Sequence, residues 1–99
     1  MDETYTCSIW KVNQAEETAF LEAFQGFADE ATKNFGAREG MILRDTDDPS
    51  TFIVVRRWES AESPASWADS AEFPALFAPI RATIGDSEAY LTRKVADLG

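Results

Sequence analysis

Between Thr51 and Phe73 the chain sets an adjacent arginine pair, Arg56 and Arg57, close to two of its three tryptophans, Trp58 and Trp67. The residues before the pair, Phe52-Ile53-Val54-Val55, are apolar and β-favouring, so a strand is expected from Thr51 to Trp58. Alternation along it places Phe52, Val54, Arg56 and Trp58 on one face, and Ile53, Val55 and Arg57 on the other. The first set carries the large aromatics and is assigned to a face covered by helices. A guanidinium there must be paired, because an unpaired buried charge is very costly. Either an internal carboxylate such as Asp45 pairs Arg56, or the charge is left for an anionic ligand. The second case is what a pocket for an enolate or phenolate needs.

Much other chemistry is excluded. The chain has no histidine and one cysteine, Cys7. Ser-His-Asp and Cys-His arrangements therefore cannot form. Zinc, haem and non-haem iron lack their usual ligands. No glycine-rich phosphate loop is present. No metal and no cofactor are expected. The acidic stretch Asp47-Asp48-Pro49-Ser50 has the composition of a solvated turn, and no cation-binding loop follows it.

Eighteen acidic against nine basic residues give a net charge of −9. Such a field repels nucleic acid and anionic membranes, so neither is expected as a partner. A lone cysteine fits a reducing compartment. The amino terminus, Met1-Asp2-Glu3-Thr4, is too acidic and polar for a secretory leader, and no apolar run is long enough to span a bilayer. The expected location is cytoplasmic.

These residues need elements to position them. Tyr5 to Val12 is expected as a first strand, with Tyr5, Cys7, Ile9 and Lys11 on one face and Thr6, Ser8, Trp10 and Val12 on the other. Asn13, with Glu16 three residues on, signals a helix cap. The helix runs to about Asn34 on a stripe of Phe20, Phe24, Phe27, Ala31 and Phe35, which is assigned to the core rather than to a ligand box. Gly36 supplies a left-handed stop. Gly40 to Thr46 is the second strand, and it pairs with Thr51–Trp58 as a hairpin. Ser60 or Ser63 opens a further helix with Pro64 in its first turn, placing Trp67 and Ala71 on one face. Ala75 to Ile84 is helical by the spacing of Phe73, Phe77, Ile80 and Ile84, and Pro79 is expected to kink or split it. Gly85-Asp86 ends that segment. Ser87 to Val95 is the last strand and Ala96 to Gly99 a tail.

Strand, helix, strand, strand, helix, strand is the ferredoxin-like βαββαβ order. The fold class is α+β: one domain over residues 1–99, a four-stranded antiparallel sheet with helices on one face. The strands carry apolar residues on both faces. A large exposed apolar patch is rare in a soluble monomer, and a second copy packed sheet against sheet is the simplest cover. A homodimer is expected.

The order "apolar strand, Trp58-Glu59-Ser60, Glu62, Trp67-x-x-Ser70-x-x-Phe73" resembles the antibiotic biosynthesis monooxygenase domain, and the likeness spans nearly the whole chain. The resemblance implies a dimeric α+β barrel. It also implies oxidation of a quinol, anthrone or polyketide-like aromatic without metal or flavin, since such a substrate reacts with oxygen once deprotonated. A protein of this kind needs an apolar pocket, a hydrogen-bond partner or base, and a group that stabilises the anion. Trp10, Arg56, Trp58, Trp67 and Tyr90 are the residues here that would bind the substrate, with Asp45 beside them. The chain departs from the family where many members carry histidine: Trp67 stands at one such position, and none lies near Glu72. The haem-degrading branch shares Trp67-x-x-Ser70-x-x-Phe73. It places its haem-ligating histidine where Phe77 stands, however, and its first-strand asparagine has no match near Thr6–Ser8. Haem degradation is rejected.

Plainer roles compete. Trp67 on a helix facing a sheet suits the core, Trp58 at a strand end suits a packing anchor, and one of the two arginines could pair with an acidic neighbour. The alternative function is a non-enzymatic dimer of the same fold that binds a small apolar or aromatic molecule. A group able to take a proton inside the pocket would separate the two.

Overall fold

The structure is a computed structural model and describes residues 3–99. Met1 and Asp2, part of the acidic start read above, lie outside the described residues. Four strands, β1 (Thr4–Val12), β2 (Ala37–Arg44), β3 (Thr51–Trp58) and β4 (Ile84–Arg93), form one antiparallel sheet in the order β2-β3-β1-β4. Helix α1 (Glu17–Asn34) joins β1 to β2, and α2 (Ser63–Ala68) and α3 (Glu72–Arg81) join β3 to β4. The expected βαββαβ order holds, with the second helical segment in two pieces.

The helices cover one face. Phe20, Phe24, Phe27 and Ala31 of α1 and Ile80 of α3 are buried against Trp10, Val12, Phe52, Val54 and Trp58 of the sheet. This is one apolar stripe at helical spacing meeting the alternate residues of two central strands. Phe20 stacks on Phe52 at 5.4 Å, and Trp10 meets Phe24 edge-on at 5.4 Å. The even-numbered residues of β3 face the helices, as their aromatic content requires.

Several boundaries differ from expectation, each for a local reason. Asn13 does not form a capping box. Its side chain donates to the Glu16 carboxylate at 3.4 Å, and a 3-10 turn over Gln14–Glu16 precedes α1. β2 begins at Ala37, directly after Gly36 at φ 79°, and ends at Arg44. Asp45 turns the chain, accepting the Asp47 N–H at 2.9 Å. β4 starts at Ile84 because a bulge absorbs Gly85: Val12 pairs with Ile84 and Lys11 with Asp86. The break in the second helical segment falls at residues 69–71 and not at Pro79, which lies inside α3. Only two helical residues follow Pro79, and buried Ile80 holds them down, so one lost hydrogen bond is tolerated. Ala71 lies beyond α2 and shares no face with Trp67. Among the described residues no helix is long and apolar enough to cross a membrane.

The other face of the sheet carries Tyr5, Cys7 and Ile9 of β1, Met41 and Leu43 of β2, Ile53 and Val55 of β3 and Tyr90 of β4, aligned by the strand register. Met41 is 57% exposed, Leu43 45% and Tyr90 50%.

Candidate functional site

The helices do not close completely on the sheet. A cavity of about 300 Å³ remains between them. Its floor is Thr6, Ser8 and Trp10 of β1 with Val54, Arg56 and Trp58 of β3. Its roof is Phe24 and Phe27 of α1, Trp67 of α2, and Phe73 and Phe77 of α3, and Ser87 and Ala89 of β4 form one side. That volume and that mainly aromatic lining suit a small planar molecule.

The bend between α2 and α3 builds the roof. The Ser70 hydroxyl donates to the Trp67 carbonyl at 2.7 Å and accepts the Phe73 N–H at 3.3 Å. The bend thereby presents Trp67 and Phe73 together to Phe27, with ring centroids 5.0 and 5.2 Å away. Phe35 packs on Trp67 from behind at 5.0 Å. Trp67 is only 4% exposed, so it is a core residue as well as a cavity wall. Its indole N–H donates to no acceptor among the described residues, yet no sealed side-chain nitrogen or oxygen there lacks a partner. That N–H is therefore not fully sealed from solvent.

The two other indoles are used within the floor. Trp58 Nε1 donates to Thr6 Oγ1 at 2.9 Å, and Trp10 Nε1 donates to Ser8 Oγ at 2.8 Å. These bonds fix both rings against the sheet.

Arg56 crosses the floor at the edge of the cavity, half-buried, between it and a second, more polar recess of about 410 Å³ beside α1 and β2. Its Nε donates to the Arg38 carbonyl at 2.5 Å, and its Nη2 donates to the Thr32 hydroxyl. Neither acceptor is charged. The other β3 arginine, Arg57, forms a two-pronged pair with Glu39 on the opposite face of the sheet, at 2.5 and 3.0 Å. Burial pulls the Arg56 pKa below its ordinary value, and the Asp29 carboxylate offsets this only in part. The guanidinium is thus a partly desolvated cation with no carboxylate at ion-pair distance among the described residues, Asp29 acting on it only from farther away, and with further N–H groups to spare.

Asp45 does not fill that vacancy. It sits at the turn end of the hairpin, where its backbone N–H donates to the Thr51 carbonyl, whereas Arg56 pairs in register with Gly40 near the other end. Tyr90 also departs from expectation. It is paired with Cys7 and so points to the open face of the sheet, where its hydroxyl donates to Glu88 at 2.7 Å. The period of two along β4 sends it away from the cavity; Ser87 and Ala89 line the wall instead. Trp10, Arg56, Trp58 and Trp67 do converge. Reading the residues as a sequence passed over Thr6, Ser8 and the double role of Phe24 and Phe27. The alternation of β1 carries the signal for the first two, because Thr6 and Ser8 share a face with Trp10. Among the described residues no three His, Cys, Asp or Glu side chains converge as metal ligands would.

Fold and cavity together define a ferredoxin-like α+β domain with an aromatic chamber beneath its helices. The chain belongs to the antibiotic biosynthesis monooxygenase family, whose model matches residues 9–79. Among solved structures it is similar to a variant of SnoaB, a cofactor-independent oxygenase from Streptomyces nogalater, with TM-score 0.87 and 19% identity over 99% of this chain and 98% of that one. SnoaB itself superposes with TM-score 0.80 and 17% identity, covering 98% and 96% of the two chains. A conserved protein from Methanosarcina mazei Go1 gives TM-score 0.82 and 16% identity over 95% and 94%. At these identities the likeness is one of fold. No curated protein matches the chain in sequence.

Proposed function

We propose that this chain is a cofactor-independent monooxygenase that oxidises an enolisable aromatic molecule of the quinol, anthrone or polyketide-like class in the chamber under its helices, as a homodimer. The observation that carries the reading is Arg56: a half-buried guanidinium on the floor of an aromatic cavity, hydrogen-bonded to neutral acceptors only. Such a cation stabilises the anion that forms when the substrate loses a proton. The anion then forms a carbon–oxygen bond to molecular oxygen. The resulting peroxide breaks its O–O bond with loss of water, so that a ring CH₂ ends as a carbonyl. The chain has no histidine to take the first proton. Lowering the acidity barrier of the substrate, with solvent as the base, is the catalytic work left to the site. The family membership and the SnoaB-like fold support the reaction class.

Anthrone with oxygen is the direct test. Wild-type protein should accelerate formation of anthraquinone with one O₂ consumed per anthrone, and Arg56→Met should lower the rate by about tenfold to a hundredfold. Tight binding of the same compound without oxygen uptake would favour the alternative, a ligand-binding dimer of the same fold.

The open sheet face supports the homodimer. Met41, Leu43 and Tyr90 are exposed there beside Ile9, Ile53 and Val55, and a patch of that kind calls for a cover. Sedimentation at micromolar concentration should give twice the 11.0 kDa chain mass.

A further inference from the structure

The floor of the cavity presents two hydroxyl donors that no acceptor among the described residues satisfies. Thr6 Oγ1 accepts the Trp58 indole N–H, and Ser8 Oγ accepts that of Trp10. An indole nitrogen can only donate, so each hydroxyl is committed as the acceptor in that bond. The O–H of each is then left to find an acceptor elsewhere, and among the described residues neither has one. Both hydroxyls line the cavity. Arg56, beside them, can only donate. Glu88 also borders the cavity, but it pairs with Ile9 in the register, and its carboxylate turns to the open face to accept the Tyr90 hydroxyl.

We propose that the Thr6 and Ser8 hydroxyls are a paired donor site that seats the oxygen atoms of a planar aromatic ketone, enolate or phenol. The proposal rests on the cavity being the ligand site. It deepens that reading by naming the groups that orient the ring. Thr6 lies directly opposite Arg56 across the β1–β3 ladder. Side chains so paired start about 5 Å apart at Cβ, and the guanidinium then turns towards Arg38 and Thr32, which leaves the Thr6 hydroxyl to its own ligand oxygen. Ser8 is two residues farther along the same face, about 6.6 Å away along the strand, and reaches a different oxygen on the same ring system. Two donors at that separation fix both the position and the in-plane rotation of the ligand. The indoles keep the hydroxyls turned inward, so the site is prepared before the ligand arrives.

The probes are 9-fluorenone, which carries one ring carbonyl, and fluorene, which lacks it. Wild-type protein should bind fluorenone about tenfold more tightly than fluorene, the difference one satisfied hydrogen bond makes. The carbonyl stretch of bound fluorenone should move to lower wavenumber. Thr6→Val or Ser8→Ala should shrink the preference, and the pair of substitutions should erase it. Because each change also frees an indole of the cavity floor, the ratio of the two affinities is the readout, and fluorene reports any change in the walls. Thr6→Ser, which keeps the hydroxyl, should restore it and shows that loss in Thr6→Val is not a folding defect. Equal binding of both probes by wild type, or a preference that survives the double substitution or disappears only in Arg56→Met, overturns the hydroxyl site and leaves the cavity reading standing. Failure of wild type to bind either probe overturns both.

Discussion

Gly40 lies directly across the β2–β3 ladder from Arg56, and a methyl group placed on it would come within 2.6 Å of Arg56 Cδ and 2.5 Å of the Val55 carbonyl oxygen. The arginine stem therefore runs over a position that only glycine leaves empty. This is a close-approach glycine rather than a turn glycine. It ties the placement of the charge to the absence of a side chain on the neighbouring strand. Gly40→Ala should displace Arg56 from Thr32 and Arg38 and also strain the hairpin, at a cost of about 1–3 kcal/mol. Thermal unfolding should show the loss of stability, and binding of 1-naphtholate should weaken. A variant with wild-type stability and binding would mean that the stem has another route.

Arg56→Met keeps most of the apolar stem and removes the charge. It should abolish binding of acidic aromatic compounds such as 1-naphtholate while the protein stays folded, because the two hydrogen bonds lost are to neutral groups at the edge of the core. Arg56→Lys should rescue only part of the binding, since an ammonium cannot hold the Arg38 carbonyl and the Thr32 hydroxyl while facing the ligand. Titration calorimetry of the three proteins against one ligand checks this.

Trp67 has two roles that two substitutions separate. Trp67→Ala removes a ring packed on Phe27, Phe35 and Phe73 and should cost about 3–5 kcal/mol. Trp67→Phe keeps much of the packing but loses the free indole N–H. If that N–H serves the ligand, Trp67→Phe should slow anthrone oxidation while shifting the melting temperature far less than Trp67→Ala. Equal loss of rate and stability across the two variants would reduce Trp67 to a core residue.

Leu43→Glu places a charge on the open face, away from the cavity and the helix-covered core. Sedimentation should then show a folded monomer in place of a dimer. A dimer that persists would put the interface elsewhere.

Glu39 pairs with Arg57 on that same face, and the Arg57 hydrogen bonds hold its carboxyl at about 2, well below the ordinary 4.5. A depressed carboxyl pKa stabilises the folded state above the unfolded value, and the benefit is lost as the pH falls from about 4.5 towards 2. Glu39→Gln should therefore flatten the acid limb of the stability curve in that window and lower stability at pH 7 by the same amount, a small one because both groups reach solvent. An unchanged acid limb would show that the pair does not persist in solution.

The sequence by itself determined the order of elements and the inward face of each. Period 3.6 in Phe20, Phe24, Phe27 and Ala31, and period 2 in Phe52, Val54, Arg56 and Trp58, are local steric facts written residue by residue. The same alternation set Arg56 among the aromatics and Arg57 opposite. Only the tertiary structure decided what surrounds Arg56, because its neighbours Thr32, Arg38 and Gly40 come from α1 and β2 and meet it through packing and register. Register also decided Tyr90. The bulge at Gly85 fixes which residue of β4 stands beside Cys7, and a shift of one residue would exchange Tyr90 for a neighbour that faces the cavity. The break between α2 and α3 followed the same rule: Pro79 was the local signal, but the Ser70 hydroxyl bonds placed the bend at residues 69–71. The chamber itself is the gap left when Trp67, Phe73 and Phe27 pack on one another instead of on the sheet. No periodicity records a gap; it exists only once all the rings are in place.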